Sequence, residues 1–131
     1  MSKAPETIGE LMTRDVVAVA PADTVERALR AMIERDIGSV VVAEGGSAVG
    51  VFTERDLSRR VIDDPELLGR PVIAAMSSPV VSVGPDTEVV DAFELMNTNG
   101  IRRLPVVEDG RLVGIVTERD LLRWVGQVAK E

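Results

Sequence analysis

Thr53-Glu54-Arg55-Asp56-Leu57 occurs a second time, unchanged, as Thr117-Glu118-Arg119-Asp120-Leu121. Sliding the sequence against itself by 64 residues brings the two runs into register. The same ungapped shift sets Met12 on Met76, Pro21 on Pro85, Met32 on Met96, Ile37 on Ile101 and Val49-Gly50 on Val113-Gly114. A five-residue identity inside a longer match marks an internal duplication. Each copy has about 55 residues, a size at which a lone core is marginal, so the two are expected to bury apolar faces against one another as one cooperative unit. The copies are read as residues 8–65 and 72–131, with a tail at 1–7 and a Pro/Gly-rich acidic surface linker at 66–71.

Within the first copy, Val16 to Val19 reads as a short strand ended by Pro21, after which Asp23 or Thr24 can cap a helix. Val25, Ala28, Leu29, Met32 and Ile33 then recur at the spacing of one buried helical face. The second copy keeps Val89, Ala92, Phe93 and Met96 of that stripe. Two apolar runs follow, Val40 to Ala43 and Ala48 to Phe52. They are separated by Glu44-Gly45-Gly46-Ser47, whose glycines supply the positive φ of a tight hairpin. A second helix starts at Thr53 and at Thr117. The predicted fold is therefore α/β (α+β), a strand-helix-strand-strand-helix repeat with a small mixed sheet. Pro105 falls inside a predicted strand and has no N–H for a ladder, which places that strand at an edge or facing a ligand cleft.

Composition removes much chemistry. The 131 residues contain no Cys and no His, so thiolate nucleophiles, disulfides, zinc-cysteine sites and imidazole bases are excluded. A net charge of −7 disfavours nucleic-acid backbones as partners. Met1 to Thr7 carries no signal-peptide apolar stretch and no segment approaches a membrane span, so a cytoplasmic location without a membrane partner is expected. Aromatic residues are only 2%, so the core must be aliphatic. Trp124, which replaces Arg60 of the first copy, suits either a subunit interface or plain packing.

The order of elements, the Met-Thr-Arg-Asp-Val-Val and Met-Ser-Ser-Pro-Val-Val openings, Ile101-Arg102-Arg103-Leu104-Pro105-Val106 and the two Gly-apolar-apolar-Thr-x-x-Asp closings resemble the cystathionine-β-synthase (CBS) family over roughly Ile8 to Val125. The resemblance implies a Bateman module: two repeats related by a pseudo-twofold axis and packed through their sheets. Up to two clefts between them can hold adenosine-containing ligands such as AMP, ADP, ATP or S-adenosylmethionine. It also implies a homodimer and a regulatory role without catalysis, an adenine nucleotide being a regulatory ligand and no cofactor being required. Output would pass through self-association or a separate effector protein.

Carried onto this sequence, the resemblance gives Asp56 and Asp120 as acceptors for the two ribose hydroxyls, and Thr53 and Thr117 as hydroxyls for ribose or phosphate. Arg102 and Arg103 stand where a basic pair meets nucleotide phosphate; the first copy has Gly38 and Ser39 there, so unequal clefts are expected. Val16, Val17, Val80, Val81, Ile37 and Ile101 are candidate walls for adenine, or ordinary core. Thr-x-x-Asp is also a helix capping box, and an Asp turned back to cap is less available to ribose. A scaffold that keeps the fold without ligand is the alternative reading.

Overall fold

The structure is a computed structural model describing residues 4–78 and 80–130; Met1, Ser2, Lys3 and Glu131 at the ends and Pro79 of the second opening lie outside the described residues. It is a mixed α+β fold with a three-stranded and a two-stranded sheet. Two compact units divide it: Val16–Val80, called here the first unit, and Met1–Asp15 with Val81–Glu131, the second.

In the first unit, β1 (Ala18–Val19) runs parallel to β2 (Ser39–Glu44), which pairs antiparallel with β3 (Ser47–Thr53) in the order β1-β2-β3. Gly45 and Gly46 take φ of 59° and 86°, the left-handed geometry that lets two residues turn the hairpin. Between β1 and β2 lies α2 (Val25–Arg35); Thr24 caps it by accepting the Arg27 N–H. Val25, Ala28 and Met32 are buried in one core with Val40, Val42 and Phe52, each large apolar side chain contributing about 1.5–3 kcal/mol. Ile33 departs from the predicted stripe: it is 68% exposed. At about 100° per residue it lies roughly 80° from Val25, on the far edge of the buried face, while Ala28 and Met32 lie on the other side. Leu57 of α3 (Glu54–Arg60) also packs on this core. Residues 66–71 include a 3₁₀ turn, Leu67–Gly69, whose Leu67 is buried in the core. A second 3₁₀ turn, Val72–Ala74, follows. The Arg70 carbonyl accepts the Val25 N–H at the start of α2, and Val72 N–H donates to Asp23.

The second unit has α4 (Val89–Asn99), β4 (Arg103–Glu108), β5 (Arg111–Thr117) and α5 (Glu118–Val128), with Val89, Ala92, Met96, Leu104, Val106, Val116 and Leu121 in its core. The part that residues 70 and 72 play in the first unit falls here to the chain start. Val89 N–H donates to Glu6, Ile8 N–H to Thr87, and Ile8, at the head of α1 (Ile8–Leu11), is fully buried. Trp124 is a packing residue, its ring tilted against Phe93 at 6.3 Å and its indole N–H donating to the Pro5 carbonyl.

The openings are thus distributed crosswise. Met12, from the opening of copy one, packs on Gly114 of copy two, and Met76, from the opening of copy two, packs on Gly50 of copy one. A Cβ on either glycine would lie 2.5 or 2.4 Å from the methionine sulfur, so the repeated Val-Gly is a site of close approach.

Among the described residues, only the first unit has a parallel strand beside its hairpin. There Val41 N–H donates to the Val17 carbonyl at 3.1 Å, whereas the matching residue of β4 is Pro105 and has no N–H to give. The second opening keeps a single parallel bridge, Val83 to Val106, with Val83 N–H donating to the Pro105 carbonyl. β4 is an edge strand of its sheet, one of the two placements that Pro105 requires. Among the described residues no helix is long and apolar enough to cross a membrane.

Candidate functional site

Each candidate site begins where a strand becomes a helix. β5 ends at Thr117 in extended geometry, and α5 starts at Glu118. Thr117 Oγ1 accepts the Asp120 N–H (3.3 Å) and donates to Asp120 Oδ2 (3.0 Å), which also accepts the Thr117 N–H (2.8 Å). The first unit repeats this with Thr53 and Asp56 at 3.2, 3.1 and 2.9 Å. Both motifs are complete capping boxes. The cap engages Oδ2 alone, so capping does not by itself consume the carboxylate. It does consume the threonine proton: Thr53 and Thr117 can still accept from a ribose hydroxyl, but have no hydrogen left to offer a phosphate oxygen.

The second carboxylate oxygen distinguishes the units. Asp56 Oδ1 accepts the Ser77 hydroxyl at 2.9 Å, and Asp56 is buried at 8% exposure. Asp120 is less buried, and among the described residues its Oδ1 has only the exposed Arg123 guanidinium at 3.9 Å. Thr13 occupies the place of Ser77 in the second unit. Its backbone exchanges bonds with Ile115 as that of Ser77 does with Val51, but its hydroxyl makes no bond to Asp120. An ionised carboxylate offers about four acceptor positions. Hydrogen bonds occupy three on Asp56 and two on Asp120.

Hairpin register brings the basic pair to the second turn. Arg103 lies opposite Thr117 in the ladder, and the Arg102 carbonyl accepts the Glu118 N–H at 2.8 Å. Arg102 is exposed and Arg103 partly so. In the first unit Ser39, buried, lies opposite Thr53, and the Gly38 carbonyl accepts the Glu54 N–H at 3.1 Å. Two arginines therefore adjoin one Thr-x-x-Asp turn along the hairpin, and Gly38 and Ser39 adjoin the other.

Val81 and Ile101 pack partly buried on the second core, in the same unit as Arg102, Arg103, Thr117 and Asp120. Val16, Val17 and Ile37 belong to the first unit with Thr53 and Asp56; Val17 packs on its core and Ile37 is 36% exposed. Val80, half-buried, closes the first unit. Ser77 is the residue that sequence reasoning passed over. Aligned as part of the second opening, it carried no sign that it would reach Asp56, 21 residues earlier in the chain.

Two copies of one helix-hairpin-helix unit, each with a capped Thr-x-x-Asp turn at the start of its last helix, define a paired-repeat protein. The CBS domain model matches residues 8–63 and 72–127, and the chain belongs to the CBS domain family. It is 42% identical over 123 residues to the uncharacterized protein MK0525 of Methanopyrus kandleri, covering 89% of this chain and 61% of that protein. The structure of the CBS-domain containing protein ATU1752 from Agrobacterium tumefaciens superposes with a TM-score of 0.86 at 32% identity, over 95% of this chain and 96% of that one. CBSX2, solved in complex with AMP, gives a TM-score of 0.81 at 29% identity, over 95% of this chain and 99% of that one.

Proposed function

We propose that this chain is a non-catalytic regulatory module that binds an adenosine-containing nucleotide at the Asp120 site and signals through self-association or a separate effector. The observation that carries this reading is the adjacency of Arg102 and Arg103 to the Thr117–Asp120 turn. Asp120 supplies a short acceptor for ribose, the two guanidinium groups suit a phosphate tail, and Val81 and Ile101 offer apolar surface for a base. The AMP complex of CBSX2, a structural relative, agrees with the ligand class.

The competing reading is a scaffold without ligand. It is supported by the two complete capping boxes, which alone account for the repeated motif. Thermal unfolding with AMP, ADP, ATP, S-adenosylmethionine and NAD separates the two. A specific ligand at 100 times its Kd adds about 2.7 kcal/mol to stability. No shift with any of the five would establish the scaffold.

A further inference from the structure

We infer that the chain takes one nucleotide, not two, and that Ser77 is the residue that withholds the first Thr-x-x-Asp turn. The inference rests on the ligand reading above. A ribose presents two hydroxyls, and holding both on one carboxylate needs two acceptor positions. On Asp120, Thr117 fills both positions of Oδ2 and leaves Oδ1 for ribose. On Asp56, Thr53 fills Oδ2 in the same way, and the Ser77 hydroxyl takes one of the two positions left on Oδ1. Only one remains, on a carboxylate that is also buried.

The difference lies in the side chain at one position. Ser77 and Thr13 are held by equivalent backbone pairs, to Val51 and Ile115. Only the serine turns its hydroxyl to the aspartate. Ser77 thus serves the first unit as a clasp, fixing the chain segment after Met76 to the start of α3. The same bond makes Asp56 a poor ribose acceptor. Gly38 and Ser39 act in the same direction, because no guanidinium stands there for a phosphate.

Native mass spectrometry of the whole chain with a saturating series of AMP reads the count directly. The expected result is one AMP per chain, bound roughly 10- to 100-fold more weakly in Asp120→Asn. Ser77→Ala frees a second position on Asp56 and should admit a second AMP, roughly 10- to 100-fold weaker than the first for want of the arginines. Adding Asp56→Asn to Ser77→Ala should remove that second AMP. Two AMP on the unaltered chain, or a Ser77→Ala chain that still takes one, would overturn the role of Ser77 while leaving nucleotide binding intact. No AMP on any variant would instead overturn the ligand reading, and this inference with it.

Discussion

Gly114→Ala tests the crosswise packing of the openings. The added Cβ would lie 2.5 Å from Met12 Sδ, 3.0 Å from Met12 Cγ and 3.0 Å from the Thr13 carbonyl oxygen. Ordinary carbon contacts fall near 3.5–4.0 Å. The methionine chain can swing away, but the carbonyl cannot, because Thr13 exchanges two backbone bonds of 2.9 Å with Ile115, the next residue. Overpacking of this kind costs about 1–3 kcal/mol, and the fixed carbonyl argues for about 2. Urea unfolding would show a lower midpoint at unchanged slope. In a double-mutant cycle with Met12→Ala, the sulfur clash disappears and about 1 kcal/mol should be recovered, the carbonyl contact accounting for the rest. Gly126→Ala is the control: it sits in α5 with nothing within 4 Å of a Cβ and should stabilise by about 0.5–1 kcal/mol. A Gly114→Ala chain within about 0.5 kcal/mol of the original would refute the close approach of Met12 to β5.

Three further outcomes follow. Asp56→Asn should cost about 1–3 kcal/mol in urea, since it disturbs both the Thr53 cap and the half-buried Ser77 bond. Trp124→Phe keeps the contact with Phe93 but drops the indole donor to Pro5, and a loss of about 1 kcal/mol is expected by calorimetry. The Asp64 carboxyl is held below its ordinary value of 3.8 mainly by the hydrogen bond from Arg70, with the Glu66 N–H assisting against a smaller cost of desolvation. A depressed carboxyl adds stability above its unfolded pKa and loses it as pH falls through the folded value. The acid limb of a stability profile below about pH 4 should therefore flatten in Arg70→Gln, and an unchanged limb would remove this pair from the account.

The local code of the chain was largely legible. Thr24 and the Val25–Met32 stripe announced α2, Gly45-Gly46 announced the first hairpin, and the two Thr-x-x-Asp runs announced capped helices. Each of these signals acts within a few residues, where sequence and space coincide. Ile33 misled because a stripe has edges, and the sequence alone does not show which side of it meets the sheet. The missing β1 of the second unit was half visible in Pro105, whose absent N–H could be read but whose would-be acceptor, Val81, could not. Self-alignment reported likeness and was silent on proximity. It set Met12 on Met76 without revealing that each packs on the other copy's hairpin, and so it hid Ser77 from Asp56. The family pattern singled out Arg102 and Arg103, and it is the register of β4 and β5 that sets them beside Thr117.

Calorimetric titration of AMP into the chain and into Asp120→Asn tests the central claim most directly. Asparagine keeps an acceptor for the cap but loses the charged oxygens. The account predicts saturable binding to the original chain, weakened by roughly 10- to 100-fold in Asp120→Asn, the loss of a charge-assisted bond of about 1.5–3 kcal/mol. Binding of equal strength to both chains, or none to the original, would contradict it.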